Sequence, residues 1–297
     1  MSAIVLNGKE VAQAVRLEVA EGVREFVGHH GTPPGLAAVL VGNDPASAIY
    51  VRNKRRACDE VGMFSETFDL PDSTEEDELL DLIRDLNVDH RFHGILVQLP
   101  LPRQIDERKA TVAVNPEKDV DGIHPMNLGR LLEGSPVYVP GTPAGILELL
   151  FRNGYDATGK HVVICGRSNI VGKPMANLFM QKRPGCNATV TICHTGTQNL
   201  ASITLQADIL VVATGNPGMV TGDMVKPGSV VIDVGVNRVP DETKQRGYRL
   251  VGDVDFDQVS KVAGAITPVP GGVGPMTIAM LLSNTLEAAR RSKRDSE

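Results

Sequence analysis

The sequence contains no apolar run near the ~20 residues that a bilayer-spanning helix needs; its longest uncharged apolar stretches are strand-length. A membrane partner is therefore not expected. The opening residues, MSAIVLNGKE, offer too short an apolar stretch and no small-residue cleavage site for a secretory leader. No CxxC pair occurs. The four cysteines, Cys58, Cys165, Cys186 and Cys193, are dispersed, and two fall in expected buried strands, so a reducing cytoplasm is expected rather than a disulfide framework. The seven histidines show no metal-ligand spacing, and no metal site is expected. His29 and His30 read as an exposed helix end, and His124 as a structural or supporting group near a suspected site. Basic charge is not in excess: 30 Lys and Arg against 36 Asp and Glu give a net charge of −6, which argues against a nucleic-acid partner. The basic run Arg290–Arg294 reads as a solvated helix end. No internal repeat or low-complexity segment is visible.

What is present is a soluble globular composition, 42% hydrophobic and 22% charged, over 297 residues, enough for roughly two domains. The first block opens with an apolar-periodic helix over about 11–26 and a strand at Leu36–Val41. Asn43 or Asp44 can cap a following helix with Pro45 in its first position and Gly62 just past its end. Ser73 or Thr74 is expected to open another helix running through Leu86. A buried strand, HisGlyIleLeuValGlnLeuProLeuPro, is then stopped by two prolines. The block boundary falls near Val139–Pro143, where Thr142 caps and Pro143 begins a helix to about Arg152. Uniformly apolar runs follow at Val162–Cys165, Val190–Cys193, Ile209–Ala213 and Val230–Val234. Such runs, separated by helices, imply a parallel sheet covered on both faces. A final helix, about 276–291, is in a position to return to the first block. The expected fold is α/β with two domains: residues 1–141 plus 275–297, and a Rossmann-like parallel-sheet domain over 142–274.

The most informative stretch is Val162–Ala176, an apolar strand, a Gly/Ser turn and a helical segment. This is the layout in which backbone N–H groups at a helix start receive a pyrophosphate. The turn, Gly166-Arg-Ser-Asn-Ile-Val-Gly172, departs from GxGxxG: Ser168 stands for the second glycine, and the last comes one residue late. An ordinary strand–turn–helix is the competing reading. The next strand ends in His194-Thr195-Gly196-Thr197 without the acid that an NAD site places there for the ribose hydroxyl. Arg167 suits a 2′-phosphate, so NADP is the preferred cofactor.

Tyr50 and Lys54 lie four residues apart on an expected helix, in one stripe with Ala57 and Val61. A lysine on an inward stripe either snorkels its ammonium to water or is a desolvated amine that exchanges protons near neutrality. Spacing alone leaves both open. Gln98 closes a buried strand at the end where α/β sheets bind ligands. Asp119 and Asp121 alternate and would share a face on an extended segment. No further ligand stands nearby for a metal, and one carboxylate reading a ligand's N–H groups is preferred.

Five segments in order, TyrValArgAsnLysArgArgAlaCys, GlyIleLeuValGlnLeuProLeuPro, ProGluLysAspValAspGlyIleHisPro, GlyArgSerAsnIleValGlyLysPro and ThrProValProGlyGlyValGlyProMetThr, closely resemble the bifunctional methylenetetrahydrofolate dehydrogenase/methenyltetrahydrofolate cyclohydrolase family. The resemblance runs from Leu36 through the last helix. It implies NADP-dependent oxidation of 5,10-methylenetetrahydrofolate, then hydrolysis of the methenyl cation to 10-formyltetrahydrofolate, in a cleft between the domains. By the same resemblance Lys54 is the central catalytic residue and Tyr50 stacks on the folate. Gln98 helps set the charge of Lys54, and Asp121 holds the pterin N–H groups. Val97, Leu99, Pro270, Gly271, Gly272, Val273 and Gly274 line the folate side; Gly166, Arg167, Ser168, Thr195, Gly196, Thr197 and Val236 line the NADP side. Cis bonds before Pro100 and Pro270 and a homodimer formed through the cofactor domain are also implied. The family's usual Ser followed by a basic residue after CysHis is Thr195-Gly196 here, which removes one possible cation for the 2′-phosphate. Two other functions stay in view, a monofunctional dehydrogenase and a non-catalytic dinucleotide sensor. A sensor would not need Lys54 on the inward stripe.

Overall fold

The computed structural model describes residues 2–244 and 247–294. In chain order the elements are β1 (Ile4–Val5), α1 (Gly8–His30), β2 (Gly35–Val41), α2 (Pro45–Val61), β3 (Phe64–Leu70), α3 (Glu76–Val88), β4 (Gly94–Val97), α4 (Glu107–Ala113), α5 (Pro125–Glu133), α6 (Gly141–Arg152), β5 (His161–Cys165), α7 (Gly172–Phe179), β6 (Thr189–Cys193), α8 (Leu200–Thr204), β7 (Ile209–Val212), β8 (Val230–Asp233), β9 (Asn237–Pro240), β10 (Tyr248–Val251), α9 (Phe256–Val259), β11 (Ala265–Ile266) and α10 (Val273–Arg294). No helix among the described residues is long and apolar enough to cross a membrane.

Two compact units form. One holds Gln13–Gly141 and Ile278–Glu297, the other Met1–Ala12 and Thr142–Thr277. The first has a parallel three-stranded sheet in the order β3-β2-β4. Every residue of β2 is buried, as expected for a central strand covered on both faces. Ala37, Val39, Ile83, Leu86, Phe92 and Ile95 belong to its core. The second unit has a parallel six-stranded sheet in the order β1-β11-β8-β7-β5-β6. Its core includes Val163, Leu210, Val231 and Ile266. β9 and β10 add an antiparallel ribbon that the apolar runs do not announce.

Three differences from the sequence reading have physical causes. The chain start, read as part of 1–141, lies with the six-stranded unit, because Ile4 and Val5 pair with Ala265 and Ile266. The return to the three-stranded unit comes within α10, at Ile278. Finally, α3 starts at Glu76 rather than after Ser73 or Thr74. Gln104 donates to the carbonyls of Asp72 (2.7 Å) and Thr74 (3.0 Å), holding that stretch as a turn. The acid-rich first turn, Glu76-Asp77-Glu78, then suits the positive helix end.

α2 forms as its sequence dictates. The Asp44 carboxylate accepts the N–H of Ser47 at 2.7 Å, Pro45 takes the first position, and Gly62 closes the helix at φ 80°. This fixes the rotation of α2 and thereby the direction of Lys54.

Candidate active site

Lys54 is buried at 8% exposure, with Ala57 and Val61 below it on the same stripe, while Tyr50 at the outer end is 42% exposed. The ammonium does not reach water by snorkelling. Its Nζ donates to Gln98 Oε1 at 3.1 Å, and Gln98 Nε2 donates to the Leu99 carbonyl at 2.7 Å. The second bond orients the amide, so that its oxygen faces the lysine. Gln98 stands one residue past β4, and the Leu99–Pro100 bond is cis. Val97 and Leu99 flank it.

Burial holds the Lys54 pKa below the ordinary lysine value, and the Asp121 carboxylate opposes this without cancelling it. Burial likewise raises Asp121, against the pull of Lys54. Both effects of burial favour the uncharged forms. Among the described residues Lys54 makes no ion pair, and its hydrogen-bond partner is a neutral amide. Cys58, one turn further along α2, has its thiol pushed up to about 12 by burial and is not a competing nucleophile.

Asp119 and Asp121 do not share a face. Residues 116–118 and 120–121 are turns, and Asp119 forms an isolated bridge with Ile95. Its carboxylate accepts from the N–H groups of His124 (2.8 Å) and Ile123 (3.3 Å) and from Asn127 Nδ2 (2.8 Å). Asp119 is thus the brace of the loop that presents Asp121. His124 has the expected structural role: Nδ1 accepts from Met126 N at 3.0 Å and caps α5. No group of three or more His, Cys, Asp or Glu among the described residues could hold a metal.

The six-stranded unit presents the dinucleotide loop. β5 lies between β6 and β7; the chain runs from β5 to β6 on one side and from β6 back to β7 on the other, and such a reversal of strand order is where a ligand crevice lies, beyond the carboxyl end of β5. Gly166 follows at φ 130°, and a Cβ there would stand 2.2 Å from the Ala213 carbonyl oxygen. A Cβ on Gly172 would meet the Gly166 carbonyl oxygen at 2.1 Å. Both positions therefore require glycine despite the departure from GxGxxG. Ser168 Oγ accepts from Val171 N at 3.1 Å and Gly172 N at 3.4 Å, capping the start of α7. Arg167 is exposed and makes no ion pair among the described residues. Lys173 in the first turn of α7, which sequence reasoning passed over, is a second cation at the loop, held by Asn169 Oδ1 at 2.7 Å.

Beyond β6, the Thr197 hydroxyl accepts from His194 N at 2.8 Å, and Gly196 N donates to His194 Nδ1 at 3.1 Å. This leaves Thr195 at the tip of a closed turn beside the Gly166 loop, whose N–H donates to Cys193 O at 2.9 Å. Val236 follows β8 and is 47% exposed. Pro270, Gly271, Gly272, Val273 and Gly274 lie in this same unit. The Val269–Pro270 bond is cis, and Gly272 N donates to Pro268 O at 2.8 Å.

Two buried carboxylates that no motif marked hold the strand ends together. Asp253 Oδ2 accepts from Thr214 N (2.6 Å), Thr214 Oγ1 (3.1 Å) and Gly215 N (2.8 Å), while Oδ1 accepts from Asn237 Nδ2 (2.8 Å). Asp233 Oδ1 accepts from Gly235 N (3.0 Å) and Asp253 N (2.9 Å), and Oδ2 from Val254 N (3.0 Å). Burial pushes Asp233 up to about 6 against these donors. The pair fixes the loops after β7 and β8, on either side of which the cofactor residues stand.

Comparison with known proteins agrees with both parts. Residues 6–121 match the catalytic domain, and residues 140–293 the NAD(P)-binding domain, of tetrahydrofolate dehydrogenase/cyclohydrolase. The chain belongs to the tetrahydrofolate dehydrogenase/cyclohydrolase family. A family relative from Chlorobium phaeobacteroides, the bifunctional protein FolD, is 56% identical over 97% of this chain and 98% of its own. The bifunctional FolD enzyme of Campylobacter jejuni, 44% identical, superposes with a TM-score of 0.91 over 98% of this chain and 100% of its own. The Trypanosoma brucei family enzyme, solved with NADP and an inhibitor, is 42% identical with a TM-score of 0.94 over 99% of each chain.

Proposed function

We propose that the chain oxidises 5,10-methylenetetrahydrofolate with NADP and then hydrolyses the methenyl product to 10-formyltetrahydrofolate. The observation that carries this reading is the buried Lys54 amine, held by a neutral amide and lowered in pKa. Hydrolysis needs an amine that can carry a proton, and a dinucleotide sensor needs none, which favours the bifunctional reading over a monofunctional dehydrogenase or a sensor.

The NADP fit rests on the close glycine approach at Gly166 and Gly172, on the exposed Arg167, which makes no ion pair among the described residues, and on the lack of an acid in His194–Thr197 after β6. Arg167 and the Gly166–Ser168 backbone would hold its phosphates, Thr195, Gly196, Thr197 and Val236 would line it, and when bound it supplies the hydride acceptor. In the three-stranded unit, Asp121 receives the pterin N–H groups and Tyr50 offers its ring to the folate; Pro270, Gly271, Gly272, Val273 and Gly274 supply further folate contacts. A charged ammonium beside the methenyl cation would be repelled by it. A neutral Lys54 instead accepts a proton from the attacking water and delivers it to the ring nitrogen whose C–N bond breaks, while the remaining hydroxyl proton is released to solvent as the formyl C=O forms. Gln98 keeps the amine oriented through both transfers.

A homodimer formed through the six-stranded unit is part of the proposal. It is supported by the outer edge of β6, where Ile192 is 38% exposed. The four cysteines, all free and buried, support a reducing cytoplasm.

Mixing the chain with 5,10-methylenetetrahydrofolate and NADP should produce reduced cofactor, followed by decay of the methenyl absorbance. No reduction with either NADP or NAD would overturn the folate assignment. Arg167→Ala should raise KM for NADP by about 10- to 100-fold, the worth of a charge-assisted phosphate contact, and leave KM for NAD nearly unchanged. Equal losses for both cofactors would refute the NADP preference.

A further inference from the structure

A cavity of about 280 Å³ lies in the three-stranded unit at the amino end of β4, the opposite end of that strand from Gln98. Its wall brings together His93, Glu117, Lys118, Arg291, Ser292 and Lys293. The single carboxylate in this wall is already committed. Glu117 Oε1 accepts from Arg130 at 3.0 Å, and its Oε2 is only loosely engaged by Arg291 Nη2 at 3.5 Å. Arg291 Nε is buried without a hydrogen-bond partner, which leaves this charged donor for an acceptor from outside the chain. Lys118 Nζ donates to the carbonyls of Leu86 (2.9 Å) and Asp89 (2.8 Å), which leaves its third proton for another acceptor. His93 Nδ1 accepts from Gly35 N at 3.0 Å, so in the neutral ring the proton is on Nε2. Lys118, Arg291 and Lys293 outnumber the one carboxylate of the wall, Glu117, which Arg130 also engages, while the Asp89 carboxylate acts on Lys118 from outside the wall. Burial, with Lys293 and Lys118 adding to it, lowers His93 to about 4, which registers the same positive field.

We infer that this cavity is a binding site for a dianionic phosphoryl group, either free phosphate or the phosphate of a nucleotide, that nothing in the folate chemistry uses. The cationic excess of the wall suits a dianion. A guanidinium N–H, an ammonium and an imidazole N–H on separate elements match its several oxygens better than the two of a carboxylate. The ligand would tie the last turn of α10 to the start of β4.

The test is thermal melting of the full chain in saturating NADP, so that the Arg167 loop is already filled. Sodium phosphate is compared with sodium chloride at equal ionic strength. Phosphate should raise Tm saturably, by about 3 °C at tenfold its Kd, and Arg291→Met or Lys293→Gln should abolish most of the rise. In the unmutated protein, an NMR titration of His93 should show its pKa climbing from about 4 as phosphate cancels the lysine field. Adenosine 5′-monophosphate binding more tightly than phosphate identifies a nucleotide as the source; equal binding identifies free phosphate. The site is overturned if phosphate gives no saturable shift beyond chloride, if both variants keep the shift, or if His93 does not respond.

Discussion

Replacing Lys54 with methionine is expected to slow methenyl hydrolysis by about 10²–10⁴-fold, the usual worth of a positioned proton-transfer group, while NADP-dependent oxidation continues and the methenyl compound accumulates. Methionine fills nearly the same volume, so the loss falls on chemistry rather than folding. The same change is expected to stabilise the protein by about 1 kcal/mol at pH 7, as the removal of a desolvated functional group often does. The sign follows from proton counting. Folding lowers the Lys54 pKa from 10.5, so between the lowered value and 10.5 the native state binds fewer protons than the unfolded chain. Stability therefore rises with pH across that window, and the full penalty stands below it. The variant lacks the titrating group, so its denaturation midpoint should lie above that of the wild type at neutral pH and lose this climb at alkaline pH. Hydrolysis at the wild-type rate would end the assignment of Lys54 as the proton carrier.

Asp253→Ala is expected to raise KM for NADP by about 10²-fold and to leave hydrolysis of supplied methenyltetrahydrofolate, which uses no cofactor, within a factor of about two. Two backbone N–H groups, of Thr214 and Gly215, lose their acceptor, at about 1–3 kcal/mol each, and the loop after β7 is released. Asp253→Asn separates position from charge. Its oxygen can still face Thr214 and Gly215, and the Asn237 amide can turn to accept from the new NH₂, so an intermediate KM is expected. Hydrolysis serves as the internal control. If both activities fall together in both variants, Asp253 supports the fold at large and not the cofactor loops.

Local chemistry made much of this legible. Asp44, Pro45 and Gly62 bound α2 because capping, fixed φ and left-handed closure are each the work of one residue. The centre of the six-stranded sheet was legible because β5, β7 and β8 are apolar on both faces, whereas β3, with Ser65, Glu66 and Asp69 along it, carries no such run and is not legible as a strand. Lys54 stood out as a charge on a buried stripe, although only the distance to Gln98 decides between snorkelling and desolvation. Other features have no local signature. β1 is two exposed residues whose strand character comes from a partner at Ala265–Ile266. The Asp233–Asp253 brace joins residues that look like ordinary strand-end acids, since nothing near either one names the N–H groups it accepts from. The separation of Asp119 from Asp121 depends on the turns around them, which alternation in sequence does not reveal.

The pairing of β1 with β11 sets the order in which the molecule can be finished on the ribosome. At about 5–20 residues per second, the first strand emerges many seconds before the strand that holds it. The three-stranded unit waits as well, since the part of α10 from Ile278 onward belongs to it. The six-stranded unit can close once Thr277 has been made, and the three-stranded unit only after the helical stretch from Ile278 has followed, so the unit whose strands are all made first is still the one that waits longest for its last piece.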